Sequence, residues 1–317
     1  MRIIKLVGTL LVIVVVAFVA FNIVRQRVLR GGVPDLPVST NPIIENHEWA
    51  NEELITIQGY EHDAMEIGIS PGGEYLLFND RHKKPDKDIH WASRVNDTTY
   101  RYEGTVENTV TPTVDATPEF DGLGNLFYTT LKSRPQDGQT MYRASWQPGV
   151  AVDPQPVEGD IYVQPRQENG KNWISLDPDV SADGRFLFYS EGLFGSAVFP
   201  YPFNVRGAEL VGDEYKKISD ELLANVNSDQ LEYAPAISDD GLELFFTRIE
   251  RREGDAELSH GIYVTRRDSI AEPFNQPERI TAITGFMEAP VLSGDEQHLY
   301  YHRMHQGRFQ MFRVRRK

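Results

Sequence analysis

The chain has no cysteine among its 317 residues. That excludes disulfide staples, thiolate nucleophiles and cysteine-ligated metal centres. It leaves the compartment open, because large exported domains can be stable without disulfides. No Gly-x-Ser-x-Gly elbow is present, so an appended serine-hydrolase domain is absent. Neither a phosphate-cradling P-loop nor a dinucleotide fingerprint occurs. Histidines at helical metal-ligand spacing are missing too. His298 and His302 are four apart in a strand-like stretch, where they would sit about 13 Å from one another. With His305, and with His62, His82 and His90 near the start, they read as satisfied or surface side chains. Positive charge is scarce, at 32 Lys+Arg against 47 Asp+Glu. Five of the basic residues and no acidic one fall in residues 1–30, which leaves 27 basic against 47 acidic residues beyond them, a net charge of −20. Such a field repels phosphate backbones and anionic lipid heads, so a nucleic-acid partner is not expected.

One long apolar run is present, in residues 3–24. Leu6–Val24 alone supplies 19 residues without a formal charge, enough for a helix at about 1.5 Å per residue to cross a ~30 Å hydrocarbon layer. A cleavable signal has a shorter apolar region, and cutting after Val15-Val16-Ala17 would fall inside this run. Residues 1–30 therefore read as an uncleaved single-pass anchor, with a cleaved signal and a secreted or periplasmic product as the alternative. Arg2 and Lys5 on one side balance Arg25, Arg27 and Arg30 on the other, so loop charge leaves the orientation tied. Gly31-Gly32, Pro34, Pro37 and Pro42 deny residues 31–52 a continuing helix and suggest a semi-extended tether.

Residues 53–317 carry a repeat. Its clearest copy, Leu176–Ser190, contains Pro178, Ser181, Asp183-Gly184 and then Leu187-Phe188-Tyr189. The other copies are Glu66–Asp80, Thr117–Thr129, Tyr233–Thr247 and Glu288–His302. Aligned on Ser70, Asp121, Ser181, Ser238 and Ser293, they are spaced by 51, 60, 57 and 55 residues. Pro118, Pro178, Pro235 and Pro290 stand three residues earlier, with Ile67 in the first copy. Asp-Gly suggests a two-residue hairpin turn with both residues at positive φ. Leu followed by two apolar residues suits a strand buried on both faces. A third strand follows at Ile89–Ala92, Met141–Ala144, Ile262–Thr265 and Met311–Val314. Phe203-Asn204-Val205 is a weak equivalent in the middle copy, where the aromatic segment Leu193–Phe203, carrying two prolines, is expected to replace a regular strand.

A sheet of three or four short strands cannot bury both faces alone, so the copies stack, and radial stacking gives an all-β propeller. Five blades are expected. The last copy ends at Lys317 after its third strand, and Glu53-Leu54-Ile55-Thr56 resembles the fourth strand Glu278-Arg279-Ile280-Thr281. The N-terminal strand would then complete the C-terminal blade and leave no open sheet edge. The Pro-x-x-Ser-x-Asp-Gly hairpin with a following Asp-Ile-Tyr-like strand resembles the TolB-type, WD-repeat-like propeller repeat over residues 53–317. That resemblance implies a periplasmic side for the propeller and a binding or assembly role in the cell envelope.

Acidic residues recur just before the motif proline: Glu66, Asp115, Asp177, Glu232 and Glu288. In a propeller this position opens the innermost strand at the channel mouth. A ring of carboxylates there would bind a ligand or hold a hard cation such as Ca²⁺; no other cofactor is expected. Two of them at suitable separation would instead serve a carbohydrate-active hydrolase or lyase, and the remaining reading is that they accept backbone hydrogen bonds at strand starts. The partners expected are an envelope protein or a glycan, with the membrane contacted through residues 3–24.

Overall fold

The structure, a computed structural model, describes residues 36–80, 87–163, 167–168, 171–194, 202–255 and 257–317. The anchor expected within residues 1–30 lies outside these. Among the described residues no helix is long and apolar enough to cross a membrane.

The described chain forms successive four-stranded antiparallel meanders, or wedges. Wedge one comprises Met65–Ile69, Tyr75–Asn79, Ile89–Asn96 and Thr99–Thr105, and wedge two Asp115–Phe120, Asn125–Thr130, Met141–Gln147 and Val150–Pro156. Wedge three comprises Lys171–Val180, Phe186–Phe194, Phe203–Val211 and Glu214–Lys217, and wedge four Leu231–Ile237, Glu243–Glu250, Ser259–Arg266 and Glu278–Ile280. Wedge five takes Met287–Leu292, His298–His305 and Arg308–Arg316 from the C-terminus and Trp49–Gln58 from the N-terminal side. Leu54 stands opposite Phe312 and Ile55 opposite Met311, so the two ends of the described chain are joined in one wedge. Thr56–Gln58 continue in parallel pairing with Thr99–Arg101 of wedge one. The first strands are neighbours in a cycle: wedge one packs on two, two on three, three on four, four on five, and five on one.

The repeated residues build this in two places. In four copies the motif serine hydroxyl accepts the amide that opens the second strand: Ser70 from Tyr75, Ser181 from Phe186, Ser238 from Glu243 and Ser293 from His298. Asp121, which replaces serine, does the same for Asn125 at 2.8 Å. The aspartate of the motif receives the serine hydroxyl in turn, at 2.8 Å for Asp183 and 2.7 Å for Asp240. The turn differs from the expected two-residue form. Only its last residue is left-handed, with φ of 73° at Gly73, 82° at Gly124, 72° at Gly184 and 73° at Gly241, while Asp183 and Asp240 are not. In wedge five Glu296 takes that place at 55°, a conformation that costs an L residue about 1 kcal/mol.

Leu-apolar-apolar runs lie between neighbouring wedges and are closed to solvent on both faces. Phe245 packs with Ile262 of its own wedge and with Met287 and Tyr301 of the next. Phe188 and Val205 of wedge three meet Ile237, Leu244 and Phe246 of wedge four. Each such side chain contributes about 1.5–3 kcal/mol by leaving water.

Two expectations are corrected. The middle wedge has a regular third strand, Phe203–Val211, because Gly192 to Phe186 pair in register with Phe203 to Glu209. Leu193 ends up in the second strand, so the aromatic segment does not replace the third; residues 195–201 of it lie outside the described part. Nor do residues 36–52 of the supposed tether hang free. Leu36 is buried among Ile174, Phe203, Leu231 and Ile249, Ile44–Asn46 pairs in parallel with Glu278–Ile280, and the closing strand begins at Trp49.

Candidate functional site

Every first strand carries the same irregularity. Pairing with the second strand slips between Met65 and Gly68, Ala116 and Glu119, Leu176 and Asp179, Tyr233 and Ala236, and Glu288 and Val291. At each slip one non-glycine residue is left-handed: Glu66 (51°), Thr117 (50°), Asp177 (57°), Ala234 (47°) and Ala289 (53°). Four of these precede the motif proline, and Glu66 precedes Ile67. The bulge frees the amide of that residue from its own sheet and aims it at the preceding wedge.

There it meets the polar residue that follows the Leu-apolar-apolar run. The Thr117 amide donates to Asn79 Oδ1 (3.0 Å), Asp177 to Thr129 Oγ1 (3.1 Å), Ala234 to Ser190 Oγ (2.9 Å) and Ala289 to Thr247 Oγ1 (2.9 Å). Glu66 donates to His302 Nδ1 at 3.1 Å and completes the circuit from wedge five to wedge one. Strained backbone at one repeated position is thereby held by one repeated side-chain hydrogen bond. Because His302 Nδ1 accepts, its Nε2 carries the proton facing Glu288 Oε2 at 3.3 Å.

The bulges surround a cavity of about 300 Å³ at the hub. Its walls include Glu66 of wedge one and Lys87 of the loop between that wedge's second and third strands, Asp177 of wedge three, Tyr233 of wedge four, and Glu288 and His302 of wedge five. Of the five acidic residues singled out by sequence, Glu66, Asp177 and Glu288 therefore meet there. Asp115 and Glu232 do not. They stand three residues before the proline position, and the alternation of the strand turns them away. Asp115 Oδ2 accepts the Thr111 amide and hydroxyl, both at 2.7 Å, and burial pushes its carboxyl up to about 6. Glu232 is buried against Arg248 at 2.8 Å and takes the Ser228 hydroxyl. Both match the strand-start reading, as acceptors for loop groups.

The three cavity carboxylates differ electrically. Burial is the main force raising Asp177, helped by the charges of Glu66 and Glu288 and opposed by the Ser190 hydroxyl and Lys87, and its carboxyl reaches about 7. Burial pulls Glu288 the same way, but hydrogen bonds from His302 and Tyr233 and the nearby His260 outweigh it, and its carboxyl stays below the usual range. Glu66 pairs with Lys87 at 3.5 Å. Deeper in the cavity, Glu119 and Asp179 stand one residue after Pro118 and Pro178. Burial drives both carboxyls upward, and the charge of Asp179 raises Glu119 further.

Sequence reasoning missed Lys87, Tyr233, Glu119 and Asp179, and it read His302 as a satisfied or surface side chain; His302 is buried and satisfied, with Glu66 and Glu288 of the cavity as its partners. Glu119 and Asp179 had a signal, since both follow the motif proline directly; Lys87 and Tyr233 had none, being polar or aromatic residues in one wedge only. Among the described residues no group of three or more His, Asp or Glu side chains is placed to hold a metal ion.

No protein-family model matches the chain, and no curated protein sequence does. Among solved structures it is similar to the native arabinanase Arb43A of Bacillus subtilis, at 12% identity over 84% of this chain and 95% of that one, with a TM-score of 0.52. An exo-1,5-α-L-arabinanase from a bovine ruminal metagenomic library aligns at 12% identity over 81% of this chain and 94% of that one, with a TM-score of 0.53. TolB from Acinetobacter baumannii aligns at 10% identity over 81% of this chain and 55% of its own, with a TM-score of 0.43. At such identities the likeness is one of fold, an all-β architecture of propeller type.

Proposed function

We propose that the chain is a five-bladed propeller of TolB-like repeats that binds a ligand in its hub cavity, as a binding or assembly module of the cell envelope. Residues 1–30 anchor it, and the propeller, with residues 36–48 docked on it and its closing strand starting at Trp49, stands on the periplasmic side. The observation that carries this reading is the convergence of Glu66, Asp177 and Glu288, from three different wedges, on one cavity. A volume of about 300 Å³ is at the small end of ligand sites and suits one sugar unit or one side chain of a protein partner. Calorimetry with a panel of envelope glycans and peptides, with Ca²⁺ titrated separately, tests it. Binding that is lost in Asp177→Ala and Glu66→Ala supports the hub site; binding unaffected by both changes refutes it.

The contrast between Asp177 and Glu288 favours a second reading, hydrolysis of a glycosidic bond. One carboxyl pushed up to about 7 and a neighbour held ionised are the acid and base conditions this chemistry needs. The arabinanases of like fold make arabino-oligosaccharides the first substrates to assay. Release of reducing ends by the wild type and not by Asp177→Asn would replace the module reading with this one.

A further inference from the structure

We propose that the mouth of the hub cavity faces the bilayer, so that the cavity draws its ligand from the space between propeller and membrane. The inference rests on the anchored reading above and adds a direction to it. The mouth is the side on which the first strands begin and the second strands end. In wedge four these points are Leu231 and Glu250, and the N-terminal segment is docked beside them. Val38 bridges Arg251 in parallel. The Ser39 amide donates to the Arg251 carbonyl at 2.7 Å, Gln230 Nε2 donates to the Pro37 carbonyl at 3.0 Å, and Arg251 Nη1 to that of Leu36 at 3.3 Å. Leu36 itself is buried against Phe203, which lines the cavity. The chain thus leaves the propeller at the rim of the mouth.

Eleven residues, 25–35, lie between Val24, the end of the apolar run, and Leu36. A chain of that length reaches at most about 40 Å. The opposite face, made of the hairpin turns, lies a second strand away, and the eight residues of Glu243–Glu250 span about 27 Å. To present that face to lipid, the chain would have to run out to the edge of the disc and then down its ~27 Å side, which takes up most of that length. The mouth face needs no such detour. The net charge of −20 beyond residue 30 keeps the disc from lying flat on anionic lipid, so a gap remains for a ligand to enter.

The absence of cysteine makes the test direct. Val110 is exposed on the mouth side, in the loop leading to the first strand of wedge two, and Leu123 is exposed in the first hairpin turn of the same wedge, on the opposite side. Full-length Val110→Cys and Leu123→Cys, each carrying a donor dye, are placed in phosphatidylcholine vesicles with acceptor-labelled head groups. Energy transfer from position 110 is expected to exceed that from position 123 about twofold or more, given faces ~27 Å apart. Leu36→Glu, which ejects the docked segment, should bring the two values together while circular dichroism stays unchanged. Equal transfer at the two positions, or more at 123, overturns the orientation alone; a ratio that Leu36→Glu leaves intact overturns the part given to the docked segment. A chain that does not stay with the vesicles overturns the anchored reading and this inference with it.

Discussion

The circuit of amide-to-side-chain hydrogen bonds around the hub makes a sharp prediction at Thr247. Its hydroxyl is fully buried and accepts the Ala289 amide at 2.9 Å. Valine keeps the shape of the residue but offers no acceptor, so Thr247→Val leaves a buried N–H without a partner, at about 1–3 kcal/mol. Thr247→Ser keeps the oxygen and removes one methyl group, at about 0.8 kcal/mol. The expected order of stability is wild type, then serine, then valine. A loss of about 2 kcal/mol in a domain of this size lowers Tm by roughly 4 °C. Thermal unfolding of the full chain in mild detergent, followed by tryptophan fluorescence, gives the order. If valine proves as stable as wild type, or more stable than serine, the bulged amides are satisfied in some other way and the circuit is not what holds the wedges in place.

Three further changes probe the cavity and the turns. Asp177 has a carboxyl raised to about 7 in the folded chain, so the folded form binds the proton more tightly than the unfolded one. Its contribution is greatest below pH 4 and is lost as pH rises through 7, at most about 4 kcal/mol and less for the water the cavity admits; Asp177→Asn should flatten unfolding midpoints between pH 4 and 8. In Asp179→Asn the Glu119 carboxyl loses the repulsion of its neighbour and should titrate lower by carbon NMR, though still above the ordinary range because burial remains; an unmoved Glu119 would show the two do not interact. Gly184→Ala places a Cβ on a residue at φ 72° and should cost about 1 kcal/mol in unfolding free energy, whereas no cost would mean that the turn relaxes freely.

The repeat was legible because its parts answer to local chemistry. Serine and Asp-Gly make a turn whatever surrounds them, and an apolar run of strand length demands burial on both faces. Even the substitution of Asp121 for serine is decodable, since either side chain supplies the acceptor that Asn125 needs. The closing pair, Leu54 with Phe312, was legible from a strand missing at one end and spare at the other. The site was legible only in part. Proximity to the motif proline pointed to five carboxylates, but the bulge makes positions one and two residues before it face the hub and the third face away, so Asp115 and Glu232 were lost. No strand alternation read from sequence announces a bulge, because the residue that adopts positive φ is Glu, Thr, Asp or Ala and never glycine. The docking of Leu36 was equally hidden, since prolines and glycines describe what the segment cannot form and not what it touches.

The residues that hold the ring together also hold the site. Ser190 accepts the Ala234 amide and donates its own proton to Asp177 Oδ2 at 2.9 Å. His302 accepts the Glu66 amide on one nitrogen and meets Glu288 with the other. Two of the three cavity carboxylates are therefore oriented by side chains whose second bond crosses to another wedge. A ligand that engages Asp177 or Glu288 pulls on the same contacts that fix the wedges, and contacts already made cost no ordering when it arrives. Changing either of these two links should weaken the ring and the site together, Ser190→Ala lowering both Tm and ligand affinity. Thr247, whose bond serves Ala289 and no carboxylate, is the control: Thr247→Val should lower Tm and leave affinity near that of the wild type. Affinity that falls equally in both variants would mean the cavity senses ring stability in general and is not organised by Ser190.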